Sequence, residues 1–166
     1  PAMAASSAEE RSKNMGSIVA VCVSTKKGVA KKPVGQAVLA TQHGIEGDAH
    51  AGPWHRQVSL LSWQAITAFK ARGAKVADGC FGENLIVDGI DLAALPVGTR
   101  LAGREFLLEV TQIGKECHSH CQIFHTMGEC IMPTQGIFTR VLRGGTVRPG
   151  DSLDILPAQP VAEAHS

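Results

Sequence analysis

Cysteine and histidine crowd one stretch of the chain, Gly114-Lys115-Glu116-Cys117-His118-Ser119-His120-Cys121, with His125 close behind and Cys130 nine residues beyond Cys121. Three of the five cysteines and three of the seven histidines fall here. The thiolate is the form of cysteine that attacks sulfur and binds metals, and a nearby lysine or protonated histidine favours it by stabilising the negative charge. Two chemistries follow. Cys117, with Lys115 and His118 beside it, can work as a low-pKa sulfur nucleophile or carrier. Alternatively Cys117, His118 or His120, Cys121 and Cys130 can hold a metal ion, for which zinc is the default with mixed sulfur and nitrogen ligands. A helix after Cys117 would place Cys117 and Cys121 on one face for that purpose. The third reading is structural: thiols buried at a strand end are common in intracellular proteins.

Other polar groups sit in glycine-rich stretches. The run Gly44-Ile45-Glu46-Gly47-Asp48-Ala49-His50-Ala51-Gly52-Pro53-Trp54-His55-Arg56-Gln57 mixes structure breakers with ionisable groups, which describes a loop of special turns in which glycine permits positive φ. Asp48, His50, His55 and Arg56 can line a pocket there, with Arg56 offering a planar fork to phosphate or carboxylate. The spacing of His50 and His55 does not match a helical metal pair. A second loop, Gly79-Cys80-Phe81-Gly82-Glu83-Asn84, sets two polar side chains among apolar ones. Glu83 and Asn84 either satisfy backbone groups or face a ligand. Arg140, alone on an apolar alternating run, is a further anion ligand. Both loops are expected to converge with Cys117 at one mouth of the fold. Lys26-Lys27 and Lys31-Lys32-Pro33 read as a solvated basic loop.

The elements that must carry these groups are mostly strands. Ile18–Ser24, Val34–Thr41, Val58–Leu61, Leu85–Val87, Phe106–Ile113, Gly136–Leu142 and the run closing at Leu156 are apolar or alternating, and glycine-rich turns separate them. Arg143–Val147 reads as one of the turns. Ser62 can cap a helix over Trp63–Arg72, with Trp63, Ile66 and Phe69 on one face and Gly73 at its end. Many short strands at short spacing suit a mainly β fold, a closed or nearly closed β-barrel with one or two peripheral helices. At 166 residues the chain fits one domain, expected over residues 17–157 with flexible tails at 1–16 and 158–166. Lys+Arg 16 against Asp+Glu 15 gives no global field toward nucleic acid or anionic lipid. The absence of tyrosine further weakens base stacking, so no nucleic-acid partner is expected. No apolar run approaches the roughly twenty residues of a membrane span. An odd cysteine count without a secretory signal fits a reducing compartment, so a cytoplasmic protein is expected.

Taken together, Gly44-x-x-Gly47-Asp48-Ala49-His50-Ala51-Gly52, Arg56-Gln57-Val58-Ser59-Leu60-Leu61, Gly82-Glu83-Asn84-Leu85, Leu95-Pro96-Val97-Gly98, Glu109-Val110-Thr111 and Gly144-Gly145-x-Val147-x-x-Gly150-Asp151 resemble a stand-alone MOSC domain, named after the molybdenum cofactor sulfurase C-terminus. The resemblance runs from about Ile18 to Leu156. It implies a barrel-like β fold, binding of a pterin-based molybdenum or tungsten cofactor, and sulfur transfer through a persulfide-bearing cysteine. That cysteine falls on Cys117, with His118 and Lys115 as its electrostatic support, and the cofactor-binding groups fall among Asp48, His50, Arg56, Glu83, Asn84 and Arg140. Implied partners are a cysteine desulfurase as sulfur donor and a pterin or other small-molecule acceptor. Pyridoxal phosphate would belong to the donor, since nothing here marks a Schiff-base lysine.

Overall fold

A β-branched run forms β1, Met15–Val23, in a computed structural model that describes residues 15–27, 29–73, 76–114, 131 and 135–156. The short strands β2 (Lys32–Val34), β3 (Ala37–Ala40) and β4 (Gly44–Ile45) precede β5, Val58–Ser62. Helix α1, Trp63–Lys70, leads on to β6, Leu85–Asp88. A 3-10 turn at Leu92–Ala94, β7 (Arg100–Ala102), β8 (Leu107–Ile113), β9 (Ile137–Arg143), β10 (Gly145–Val147) and β11 (Ser152–Leu156) complete the order. Strands β11-β7-β8-β9-β5-β6-β1 lie side by side, and β1 pairs back onto β11, so seven strands close a barrel. β2 extends from the outside of β1, while β10, β3 and β4 form a separate small sheet. The expected mainly β, closed barrel is therefore the fold. Among the described residues α1 is the single α-helix, and no helix is long and apolar enough to cross a membrane.

Alternation decides which side chains fill the barrel. Val58 and Leu60 of β5, with Leu85 and Val87 of β6, point inward, whereas Leu61 and Ile86 point outward to meet Ile66 and Phe69 of α1. β1 shows how a bulge serves this plan. Ile18 and Val21 both face inward although three residues apart, and Ala20 and Cys22 face the helix layer. The register against β6 slips between Ile18 and Ala20, which supplies the extra residue that an odd spacing requires. β5 and β6 pair in parallel, and α1 belongs to the crossover that a parallel pair needs. Ser62 caps α1 as its composition suggests, its side chain accepting from the amides of Gln64 and Ala65.

Four local expectations change. β1 begins at Met15, inside the stretch expected as tail, because Met15–Ser17 pairs with Ser152–Asp154 of β11. The single strand expected over Val34–Thr41 is two, since exposed Gly35 and Gln36 turn the chain from the β1 edge to the small sheet. Pro33 is tolerated in β2 because that strand sits at an edge. Gly145–Val147 is not only a turn but pairs with Ala37–Leu39. Finally, Lys31 is not solvated: it is 2 % exposed.

Candidate functional site

The loop from Gly44 to Gln57 is pinned from beneath by Lys31. Its ammonium lies 2.9 Å from Asp48 Oδ1, 3.1 Å from Ser24 Oγ and 3.0 Å from His50 Nδ1. Asp48 in turn accepts from the backbone N–H of Ser24 at 3.1 Å and of His50 at 3.0 Å. Burial pushes the Asp48 carboxyl up, but the Lys31 hydrogen bond and charge, together with those two amides, outweigh it and hold the group below the ordinary carboxylate range. Lys31 also joins the two glycine-rich loops, because its backbone N–H donates to Gly79 O at 2.7 Å. Gly79 is obligatory at that contact: its φ is +87° and an added Cβ would lie 2.2 Å from Lys31 O. The two loops are thus linked through Lys31, while the expected convergence of both with Cys117 falls outside the described residues. Lys31 itself was invisible to local reasoning, since its partner Asp48 is 17 residues away.

Past Asp48 the loop turns its rings and cations outward. The Trp54 indole N–H donates to His50 O at 2.7 Å, and the His50 ring lies parallel to the Trp54 ring, 6.3 Å between centroids. Lys27 Nζ stands 4.8 Å and the Arg56 guanidinium 4.7 Å from the Trp54 centroid. Arg56 also lies 5.6 Å from the Phe138 ring of β9. Its Nε is buried and has no hydrogen-bond partner among the described residues. Gln57, next along, is spent internally, its Oε1 accepting from Val141 N. Trp54 carries no charge and so gave no chemical signal in the sequence, yet it organises three neighbouring groups.

β8 supplies the opposite wall. Its register against β9 slips between Val110 and Gln112, a bulge that re-aims Thr111. The Thr111 hydroxyl lies between the carbonyls of His55 and Phe138. His55 Nε2 is 2.8 Å from Gln112 Oε1, and the Gln112 amide donates to Gly114 O at 2.8 Å. The loop is therefore clamped to the end of β8, four residues before Cys117 in sequence. A cavity of about 350 Å³ lies between these parts, lined by Gln42, Pro53, Trp54, His55, Gln57, Thr111 and Arg140. It sits against outward-facing residues of β8 and β9, since Leu108, Val110 and Val141 fill the barrel. Arg140 reaches it but is not isolated: its Nε and Nη2 lie 2.9 and 2.7 Å from Glu109 Oε1. A larger hollow of about 480 Å³ near Ser62, Gln64 and Asp91 has no cation among the described residues of its lining.

Glu83 and Asn84 are brought near but serve the fold. Both are 0 % exposed. Glu83 accepts from the amides of Gly79 and Phe81, each at 3.0 Å. Asn84 accepts from Ser59 N at 3.0 Å and donates to Cys22 O at 3.0 Å. Of the two questions the sequence left open for them, the structure answers the backbone one. Burial pushes the Glu83 carboxyl up to about 7, against the pull of its amide donors. Cys22 is fully buried, and burial, reinforced by the charges of Glu83 and Asp78, pushes its thiol up to about 12. Lys115, Cys117, His118, His120, Cys121 and Cys130 lie outside the described residues. Among the described residues no three His, Cys, Asp or Glu side chains group as a metal site.

The family model for the MOSC domain matches residues 46–154. The chain belongs to the MOSC domain family. MOSC domains are generally associated with molybdenum cofactor binding or sulfur transfer. A relative in Bacillus subtilis (strain 168), the uncharacterized protein YflK, is 26 % identical over 141 residues, covering 78 % of this chain. The alignment spans 63 % of YflK, less than two thirds of that curated relative. The crystal structure of the YuaD protein of Bacillus subtilis superposes with a TM-score of 0.73 at 19 % identity, over 87 % of this chain and 97 % of that one. YiiM of Geobacillus stearothermophilus gives 0.67 at 20 % identity, over 86 % and 75 %. At those identities the likeness establishes the MOSC barrel and nothing finer.

Proposed function

We propose that this MOSC domain is a sulfur carrier that receives the phosphate-bearing pterin of a molybdenum or tungsten cofactor in the cavity lined by Trp54, His55, Thr111 and Arg140, with Arg56 packed behind the Trp54 ring. The observation that carries the reading is the buried Arg56 Nε, next in the chain to the cavity residue His55, with no hydrogen-bond partner among the described residues. A desolvated guanidinium donor costs stability unless an acceptor meets it, and a phosphate or carboxylate oxygen is the acceptor whose geometry it matches. The residues present fit that group through its anionic organic part. When bound, the cofactor supplies a metal centre that takes or holds sulfur. Everything else falls to the chain: Arg56 neutralises the phosphate, Arg140 adds charge it shares with Glu109, and the Trp54 ring with its flanking cations shields the site from water.

Cys117 is the sulfur-bearing group in this reading. Three residues from Gly114 span at most about 11 Å, and that short reach from the end of β8, to which His55 and Gln112 clamp the loop, supports assigning the sulfur-bearing role to Cys117. Its thiolate, supported by Lys115 and His118, attacks the outer sulfur of a donor persulfide. The donor S–S bond breaks, the donor leaves as a thiolate, and Cys117 is left as a persulfide with no net oxidation. The donor is a cysteine desulfurase, and an acceptor thiol or small molecule removes the sulfur by the same exchange. The test is direct binding of a phosphate-bearing pterin. Arg56→Ala should retain the fold and lose on the order of tenfold or more in affinity, the equivalent of a charge-assisted contact. Unchanged affinity refutes the site.

A further inference from the structure

We propose that Gln42 is a specificity-determining residue of the cavity beside Trp54, its carboxamide reading the lactam edge of a bound pterin ring; the assignment rests on the function proposed above. Among the described residues Gln42 is the one residue other than glycine with a positive φ, at 55°. It holds the third place of a tight turn in which His43 N donates to Ala40 O at 3.1 Å. A positive φ at that place calls for glycine or asparagine. The left-handed backbone crowds a Cβ against the following carbonyl, so glutamine is disfavoured there on local grounds. Its neighbours hold it nonetheless. Gln42 N donates to Val141 O at 2.8 Å and Gly144 N donates to Thr41 Oγ1 at 3.0 Å, which fixes the turn to β9 next to Arg140. A disfavoured conformation that the surroundings over-determine points to a use for the side chain.

The cavity supplies that use. Gln42 is part of its lining, and the other polar side chains there are engaged within the protein. Trp54 donates to a backbone carbonyl, His55 meets Gln112, Gln57 accepts from Val141 N, Thr111 lies between two carbonyls and Arg140 is paired with Glu109. The Gln42 carboxamide has no hydrogen-bond partner among the described residues. A carboxamide sets one acceptor and one donor side by side in a plane. The lactam edge of a pterin is the complement, a ring N–H beside a carbonyl oxygen, and glutamine can meet both at once as it does the edge of adenine. An ionised phosphate has no donor for the carboxamide oxygen. The arginines therefore recognise charge, and Gln42 recognises the ring.

Binding of two probes to the full chain tests the assignment apart from the site itself. Wild-type protein should bind hydroxymethylpterin phosphate about tenfold more tightly than its analogue methylated on the lactam nitrogen, the ratio that two neutral hydrogen bonds give. Gln42→Gly suits the backbone and should bind both probes equally, through the cations that remain. In urea the variant should unfold at the same or a higher concentration than wild type, because relief of the left-handed conformation offsets the freedom glycine adds to the unfolded chain. A wild type that binds both probes alike, or a Gln42→Gly variant that keeps the tenfold preference, overturns the role of Gln42 and leaves the pterin site standing. A wild type that binds neither probe overturns both together. A variant that unfolds at clearly lower urea also overturns the role, since the carboxamide would then serve the fold.

Discussion

The loop from Gly79 to Asn84 and the loop from Gly44 to Gln57 share glycines, polar side chains and apolar surroundings, yet one is closed on itself and the other is open to a cavity. In the first, Glu83 and Asn84 bend back and take the amides of Gly79, Phe81 and Ser59. In the second, Asp48 does the same for Ser24 and His50, while His55 and Arg56 turn toward β8, β9 and Trp54. The difference is one of hydrogen-bond sign. Tight turns strand backbone N–H groups, which carboxylate and amide oxygens can satisfy. Guanidinium and ammonium groups are donors only and cannot. In a glycine-rich loop the acceptors build the loop and the cations are left for something else.

Asn84→Ala breaks the closed loop most severely. It strands Ser59 N and Cys22 O in a fully buried place, which costs roughly 3–4 kcal/mol at the usual price of an unmet polar group; urea unfolding measures it, and a loss under about 1 kcal/mol would undo the contrast. Glu83 tests the same loop through pH. Its folded-state value, about 7, is raised above the ordinary glutamate value, so its contribution is fully present below about pH 4.3 and is lost as pH rises through 7. Stability should fall by roughly 3 kcal/mol across that window and then level, and Glu83→Gln should flatten the curve. An unchanged slope in the variant would assign the pH dependence elsewhere.

The open loop responds in binding instead of stability. Arg140→Ala should weaken a phosphate-bearing pterin only about threefold, less than Arg56→Ala, because Glu109 already shares the Arg140 charge. Titration calorimetry ranks the two. A larger loss at Arg140 would show that the ion pair yields to the ligand and that Arg56 is held mainly by its two rings.

Much of the barrel was legible, and the reasons are local. Val58 to Leu61, Leu85 to Val87 and the Ser62 cap announce themselves within a few residues, because strand alternation and capping act at short range. The failures are long-range ones. Nothing near Lys31 says that Asp48 will bury it, so a lysine in a basic run reads as solvated. Val34–Thr41 looks like one strand because only the partners, β1 for one half and β10 for the other, divide it. Trp54, an uncharged ring in a polar loop, carries no local sign that Lys27 and Arg56 will stack on it. Arg56 and Arg140 were read alike from type, and only the register of β8 on β9, which sets Glu109 opposite Arg140, tells them apart.

Loading of sulfur onto the protein decides the account most directly. After incubation with a low-molecular-weight persulfide donor, peptide mass spectrometry should find a gain of about 32 Da on the Cys117 peptide. Cys22, buried and with its thiol pushed up to about 12, should stay unmodified, as should Cys80. The account is contradicted if the added sulfur appears on Cys80 or on no cysteine. It is equally contradicted if Cys117, Cys121 and Cys130 are protected together until a chelator frees them, which would make the cluster a metal site.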